Sequence, residues 1–256
     1  MSLRLHTRAL ADLLLPRRCL VCGRKLHVRE EHICLYCLSD LPQTYFHTMG
    51  HNPMADRFNH LIQNGLDAVW EDFGLSACAA PPPEHYVHAS ALFFYREDSD
   101  YRHIPYQIKY HGNINAGRYF GRMLGRRLSE ASWTADVDVV IPVPLHWRRR
   151  WARGYNQAQI IAEEVADVLG VPVRTDILRR VRSTRTQTRL NIADKTVNVE
   201  GAFRVDVTPE TGISHILLID DVFTTGSTLG ACFNALRKVF PSSVRISIAT
   251  LGFVGD

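Results

Sequence analysis

The chain has 256 residues with a formal net charge of +4, 46% apolar and 22% charged residues, enough to bury a sizeable core in one or two domains. That balance excludes global disorder, a collagen-like repeat and a low-complexity fibre. No apolar run approaches the roughly 18 to 20 residues needed to cross a bilayer. The early block Leu10 to Leu15 is interrupted by Asp12 and stops at Pro16, Arg17 and Arg18 with no small-residue cleavage site after it, so the expected address is cytoplasmic.

Leu10, Leu13 and Leu14 recur at helical spacing and predict a short amphipathic helix. Next come Cys19-Leu-Val-Cys22 and Cys34-Leu-Tyr-Cys37, two CxxC pairs separated by eleven residues. Such turns aim both thiolates at one tetrahedral centre, so Cys19, Cys22, Cys34 and Cys37 predict a closed structural zinc (Zn2+) site with no position for water or substrate. Gly23 suits the tight turn after the first pair, where positive φ is cheap for glycine. Two disulfides are the competing arrangement, disfavoured in a reducing compartment. Cys78 and Cys232 stand alone and read as buried or incidental thiols. Residues 1–45 are expected to form this module, and 46–88, with Asn52-Pro53 and Pro81 to Pro83, an irregular linker.

The main domain is expected over 89–256. Ala89 to Tyr95 reads as a strand, Tyr106 to Tyr110 as a helix and, after His111-Gly112-Asn113, Asn115 to Leu128 as a second helix. Arg118, Arg122 and Arg126 share one face of that helix, as a solvated stripe or as a track for a phosphate backbone. Strands at Val137 to Val143, Ile216 to Ile219 and Val244 to Leu251 alternate with helices at Tyr155 to Leu169 and Ser227 to Phe240. Short, nearly unbroken apolar strands separated by helices mean an α/β fold, a parallel sheet covered on both faces, with ligands at the carboxyl ends of its strands. From His146 to Arg189 ten arginines and no lysine face four acids, a local net of +6. This field favours a polyanion, though a solvated arginine-rich face satisfies the same pattern.

The strand His215-Ile-Leu-Leu-Ile219 runs into Asp220 and Asp221, then Val222, Phe223, and the hydroxyl- and glycine-rich turn Thr224-Thr225-Gly226-Ser227-Thr228 that opens a helix. Backbone N–H groups and the positive end of a helix hold a phosphate dianion, hydroxyls add donors, and glycine admits close approach. Two carboxylates just upstream can accept hydrogen bonds from a vicinal diol or hold magnesium through oxygen. Phosphate beside a diol describes a ribose 5-phosphate. There is no Gly-Lys-Thr of a Walker loop and no GxGxxG.

This string resembles the phosphoribosyl pyrophosphate (PRPP) signature of type I phosphoribosyltransferases. Upstream, Pro142-Val143-Pro144-Leu145-His146 with Arg149, Arg150, Arg153-Gly154-Tyr155-Asn156-Gln157 is similar to the hallmark of the ComF family, described as competence protein F-like or amidophosphoribosyltransferase-like. Ile108-Lys109-Tyr110, Thr186-Gln187, Asn198-Val199, Ala202-Phe203 and the zinc knuckle fit the same pattern, which spans nearly the whole chain. The resemblance implies a type I phosphoribosyltransferase-like parallel sheet flanked by helices, with a small N-terminal four-cysteine zinc module. It implies Asp220 and Asp221 on the ribose hydroxyls and Mg2+, Thr224, Thr225, Gly226, Ser227 and Thr228 around the 5-phosphate, and Arg149, Arg150, Arg153 and Gly154 facing the pyrophosphate. Arg185, Thr186 and Gln187 would belong to a mobile loop that closes over the sugar. Lys195 stands where the family usually has arginine, and Thr224 stands where purine-salvage relatives carry an acid.

The resemblance further implies competence: handling of imported single-stranded DNA beside the DNA-uptake machinery, with PRPP as ligand or regulator. Arg118, Arg122, Arg126 and Arg148 would hold the strand's phosphates, with Trp147, Trp151 and Tyr155 as stacking surfaces. Two other readings stay open, an active phosphoribosyltransferase of the glycosyltransferase class serving a nitrogenous acceptor in nucleotide metabolism, and a degenerate PRPP sensor. The sequence contains no visible acceptor pocket and no catalytic base in the loop.

Overall fold

The computed structural model describes residues 16–73, 84–182, 201–207 and 212–255. In chain order these carry helix α1 (Leu35–Ser39), α2 (Pro53–Phe73), strand β1 (Ala89–Phe94), α3 (His103–Tyr110), α4 (Ile114–Ser129), β2 (Val139–Pro142), α5 (Trp147–Arg153), α6 (Gln157–Leu169), β3 (Leu178–Arg180), β4 (Phe203–Val205), β5 (His215–Phe223), α7 (Ser227–Arg237) and β6 (Arg245–Phe253). The expected N-terminal helix, Cys78, Arg185, Thr186, Gln187, Lys195 and Asn198-Val199 lie outside the described residues.

Four strands form one parallel sheet in the order β1-β6-β5-β2, as an apolar, helix-separated pattern requires. Strand pleating divides the core in two. Val139, Ile141, Ile216, Leu218, Ile246 and Ile248 face one layer, which α2 and α7 complete through Met54, Phe58, Leu229 and Phe233. Val140, Leu217, Ile219, Ala249 and Leu251 face the other, where α3, α4 and α6 pack through Ile108, Phe120, Leu124, Ile161 and Val165.

Two elements differ from expectation. The stretch 46–88, read as an irregular linker, carries the 21-residue α2. Asn52-Pro53 is the start of this helix rather than a turn: Asn52 Oδ1 accepts the Ala55 N–H at 2.9 Å, its Nδ2 donates to the Ala89 carbonyl at 2.9 Å, and proline takes the first helical position, where its missing N–H costs nothing. Buried Met54, Ala55, Phe58 and Ile62 follow at helical spacing. The second difference is α5, where the Arg-rich stretch after Pro142 folds as a helix with no buried residue. Its caps define it. His146 Nδ1 accepts the Arg148 N–H at 3.4 Å, and Gly154 ends the helix at φ 82°.

The cysteine module shares the second core layer. Cys19, Leu26, Ile33 and Leu41 pack with Leu92, Phe93 and Tyr101. The Tyr101 hydroxyl donates to the Cys37 carbonyl at 2.9 Å, and Arg127 Nη2 donates to Gln43 Oε1 at 2.9 Å. Among the described residues, no helix is long and apolar enough to cross a membrane.

Candidate functional site

β2 and β5 are parallel neighbours, yet the second helix after β2 (α6) packs on one face of the sheet and the helix after β5 (α7) on the other. Chains that diverge from adjacent parallel strands leave a crevice at the carboxyl ends, the usual ligand position in such sheets. β5 overhangs β2 here. Pro142 pairs with Ile219, Val143 N–H donates to the Ile219 carbonyl at 2.8 Å, and β5 continues through Asp220, Asp221, Val222 and Phe223. The two acids therefore belong to the strand itself, a longer strand than Ile216 to Ile219.

Both carboxylates are buried, and strand alternation sends them to opposite faces. Asp221 Oδ2 faces the α3 and α6 layer, 3.3 Å from Lys109 Nζ and 3.4 Å from Gln157 Nε2. Gln157 Oε1 in turn accepts from Arg153 Nη1 at 2.5 Å, so the end of α5 is tied to the dyad through one side chain. Asp220 faces the α7 layer, where its charge is felt by Arg180 on β3 and by buried Cys232 on α7. Burial, then the adjacent Asp221 charge, pushes the Asp220 carboxyl up. The Asp221 charge beside Lys109 holds the ammonium above its usual value. Lys109 thus pairs with one of two adjacent buried acids, an arrangement that a divalent cation or a diol would complete.

The turn that follows is built for close approach. Gly226 sits at φ 79°, and a Cβ there would lie 2.7 Å from Phe223 Cζ. Gly226 is also the N-cap of α7 and supplies no side-chain cap; the Thr225 hydroxyl lies 2.8 Å from Ser227 Oγ and accepts the Ser227 N–H at 3.4 Å. Thr224 is exposed, and Thr225, Ser227 and Thr228 are half-buried around the mouth. A dipole end with hydroxyl donors is the chemistry of an oxyanion seat.

The basic segment follows β2 as this turn follows the neighbouring β5. Asn156 anchors it, donating from Nδ2 to the Val143 carbonyl at 3.0 Å while Oδ1 caps α6 at Ala158 N–H, 3.1 Å. Burial, then the charges of Arg180, Arg148 and Arg149, pushes His146 down, which keeps the imidazole neutral and able to cap α5. The charges of all three arginines therefore reach His146. Arg180 closes the short β3–β4 ladder opposite Phe203, and its guanidinium lies 5.2 Å from that ring.

Two residues here escaped sequence reading as site members, Lys109 and Gln157, whereas Arg180 falls in the basic stretch Arg179 to Arg189 expected as a mobile loop. Lys109 was visible within Ile108-Lys109-Tyr110, but only tertiary structure shows its ion pair. Arg118 and Arg122 lie elsewhere, on α4, where they pair with Glu164 of α6 at 3.9 and 2.6 Å and border a cavity of about 440 Å³ against Arg17 and His32 of the cysteine module. Gly117, Gly121 and Gly125 explain this closeness, since a Cβ at Gly121 would meet the Ile161 backbone at 3.1 Å. Tyr155 is held inward, its hydroxyl donating to the Ile108 carbonyl, whereas Trp147 and Trp151 are exposed.

The four N-terminal sulfurs fit a metal. All lie within 4.8 Å of one another, and Cys22 and Cys34 Sγ are 3.7 Å apart. A zinc tetrahedron with Zn–S of roughly 2.3 Å has edges of roughly 3.8 Å, far longer than a disulfide. The Gly23 N–H donates to the Cys19 carbonyl at 3.0 Å with φ 70°, and the Cys34 N–H donates to Cys19 Sγ at 3.3 Å. Arg24's backbone N–H lowers the Cys22 thiol to about 7. The cluster could hold a metal ion such as zinc.

No family model matches the chain. Competence protein F of Haemophilus influenzae is 26% identical over 238 residues, 90% of this chain and 94% of that protein. DNA utilization protein YhgH of Salmonella typhimurium is 27% identical over 241 residues, 91% of this chain and 96% of that protein, and YhgH of Escherichia coli K12 is 27% identical over 187 residues, 72% and 80% respectively. With its parallel α/β sheet and N-terminal cysteine cluster, the chain is similar to Competence protein F along nearly the full length of both chains, a likeness that supports the ComF resemblance.

Proposed function

We propose that the crevice between β2 and β5 binds PRPP with Mg2+, and that the protein uses this site in competence-related handling of single-stranded DNA. The carrying observation is the continuity of β5. A buried strand delivers Asp220 and Asp221, the latter paired with Lys109, straight into a left-handed glycine and the N-terminus of α7. In this reading Asp221 and Asp220 take the ribose diol and the metal, and Thr224, Thr225, Gly226, Ser227 and Thr228 take the 5-phosphate. Arg149, Arg150 and Arg153, with Gly154 ending the helix, face the pyrophosphate, where guanidinium forks suit paired oxygens. The names carried by the relatives, competence and DNA utilization, support the DNA-related half.

Calorimetric titration with PRPP, with and without Mg2+, tests the site. Micromolar, Mg-dependent binding by the wild type, lost in Asp220→Asn/Asp221→Asn, is expected. Equal affinity in the two proteins would remove the assignment.

A further inference from the structure

Most large apolar side chains of the described residues are buried, yet two helices at the mouth of the crevice each expose a pair of rings. Tyr106 and Tyr110 are one turn apart on α3, and Trp147 and Trp151 one turn apart on α5; Trp151 is 87% exposed. The Tyr106 and Tyr110 rings stand 5.0 Å apart. Arg153 lies over the Tyr110 ring at 5.4 Å and Arg148 over Trp147 at 5.2 Å. Arg153 also reaches Gln157, which donates to Asp221, and Lys109 on the same α3 pairs with that acid. The aromatic strip and the dyad therefore share a wall.

Four arginines and no acid lie within α5, and the helix buries nothing, so packing does not account for its rings. Exposed tryptophan costs solvation, and a contiguous aromatic patch marks a contact surface. Protein interfaces also favour Trp, Tyr and Arg. Here, however, the cations of α5 are unbroken by acids and two guanidinium groups lie over rings, the pairing of ring face and backbone charge that suits a single strand.

We propose that Tyr106, Tyr110, Trp147 and Trp151 form a base-stacking ledge on which single-stranded DNA lies across the mouth of the crevice, its phosphates on Arg148 and, when no pyrophosphate occupies them, on Arg150 and Arg153. This inference rests on the strand-handling half of the function proposed above and moves the strand's path away from α4, where Glu164 already engages Arg118 and Arg122.

The test uses the full chain, a fluorescent 20-nucleotide oligo-dT and an abasic deoxyribose-phosphate strand of equal length, across a salt series. The wild type should bind oligo-dT more tightly than the abasic strand, with quenching of tryptophan fluorescence. Tyr106→Ala/Tyr110→Ala and Trp147→Ala/Trp151→Ala should each weaken oligo-dT binding about tenfold or more with an unchanged salt slope, and bind the two strands alike. Tyr106→Phe/Tyr110→Phe should retain wild-type affinity, because stacking needs the ring and not the hydroxyl. Arg148→Gln/Arg150→Gln should instead flatten the slope. Alanine variants that bind oligo-dT as the wild type does overturn the ledge and leave these rings to a protein partner. A wild type that binds no strand at low salt overturns the strand-handling reading itself, whatever PRPP does.

Discussion

The two ends of β5 make opposite use of buried polar groups. At the amino end His215 is wholly buried and closed on itself: Nδ1 lies 3.0 Å from Asp136 Oδ1 and Nε2 lies 2.8 Å from Ser247 Oγ. Asp138 there accepts from Ser214 N and Oγ and from His215 N, at 2.7, 2.7 and 2.9 Å. At the carboxyl end two adjacent acids share one lysine, a glycine caps a helix without a side chain, and the neighbouring α5 has no buried residue. The difference teaches where to look for function in a parallel sheet. Helix N-termini gather at one end and leave donors for a ligand, so polar groups at the other end must satisfy each other.

If this contrast is sound, damage to the amino end should cost stability and damage to the carboxyl end should cost binding. His215→Ala should lower unfolding free energy by about 3 kcal/mol, since it opens a cavity and strands two partners, without changing PRPP affinity; urea denaturation beside calorimetry checks both halves. The wild type carries a matching pH signature. Burial lowers His215 to about 4, below its unfolded value of 6.5, so the unfolded chain takes the proton first. Stability from this group is intact above pH 6.5 and declines down to pH 4 by about 3 kcal/mol. That component should vanish in His215→Ala, and its persistence would place the acid sensitivity elsewhere.

At the carboxyl end, Asp220→Asn/Asp221→Asn should weaken Mg-dependent PRPP binding about a hundredfold while shifting stability by less than about 1 kcal/mol, because relieving the repulsion and burial cost of two adjacent carboxylates offsets the loss of the lysine pair. A strongly destabilised variant would make the dyad structural and erase the contrast. Gly226→Ala should cost about 1–3 kcal/mol through the strained φ and the Phe223 contact, and loosen phosphate binding with it. Smallest of all, Arg118→Gln/Arg122→Gln should change oligo-dT affinity by less than about threefold, since Glu164 already answers one of the two charges and holds both side chains. A larger loss would return α4 to the strand's path.

Much of this architecture was legible. The run from His215 to Ile219 and the turn from Thr224 to Thr228 announced a strand end and a helix start because their chemistry is local in sequence. The cysteine pairs did so for the same reason. α2 was hidden by Asn52-Pro53, whose composition is that of a turn and whose role is that of a helix start. α5 was hidden because it buries no face and so has no amphipathic period; only its two caps reveal it. Lys109 and Gln157 were hidden because they meet Asp221 from elements far apart in the chain. The arginine repeat on α4 was read without its interleaved glycines, which bring that helix against α6 and decide which acid the arginines meet.

The strand β1 lies at one margin of the sheet, and its sequence, Ala-Ser-Ala-Leu-Phe-Phe, is the kind that recruits other chains when left uncovered. The segment just after Cys37 covers it. Gln43 bridges to Phe93, Phe94 N–H donates to the Pro42 carbonyl at 2.7 Å, and Thr44 N–H donates to the Leu92 carbonyl at 3.3 Å. The cysteine cluster is thereby the clasp of a guard over an aggregation-prone margin. Oxidising or chelating that clasp should show itself first as self-association of an otherwise folded protein, before any loss of the parallel sheet.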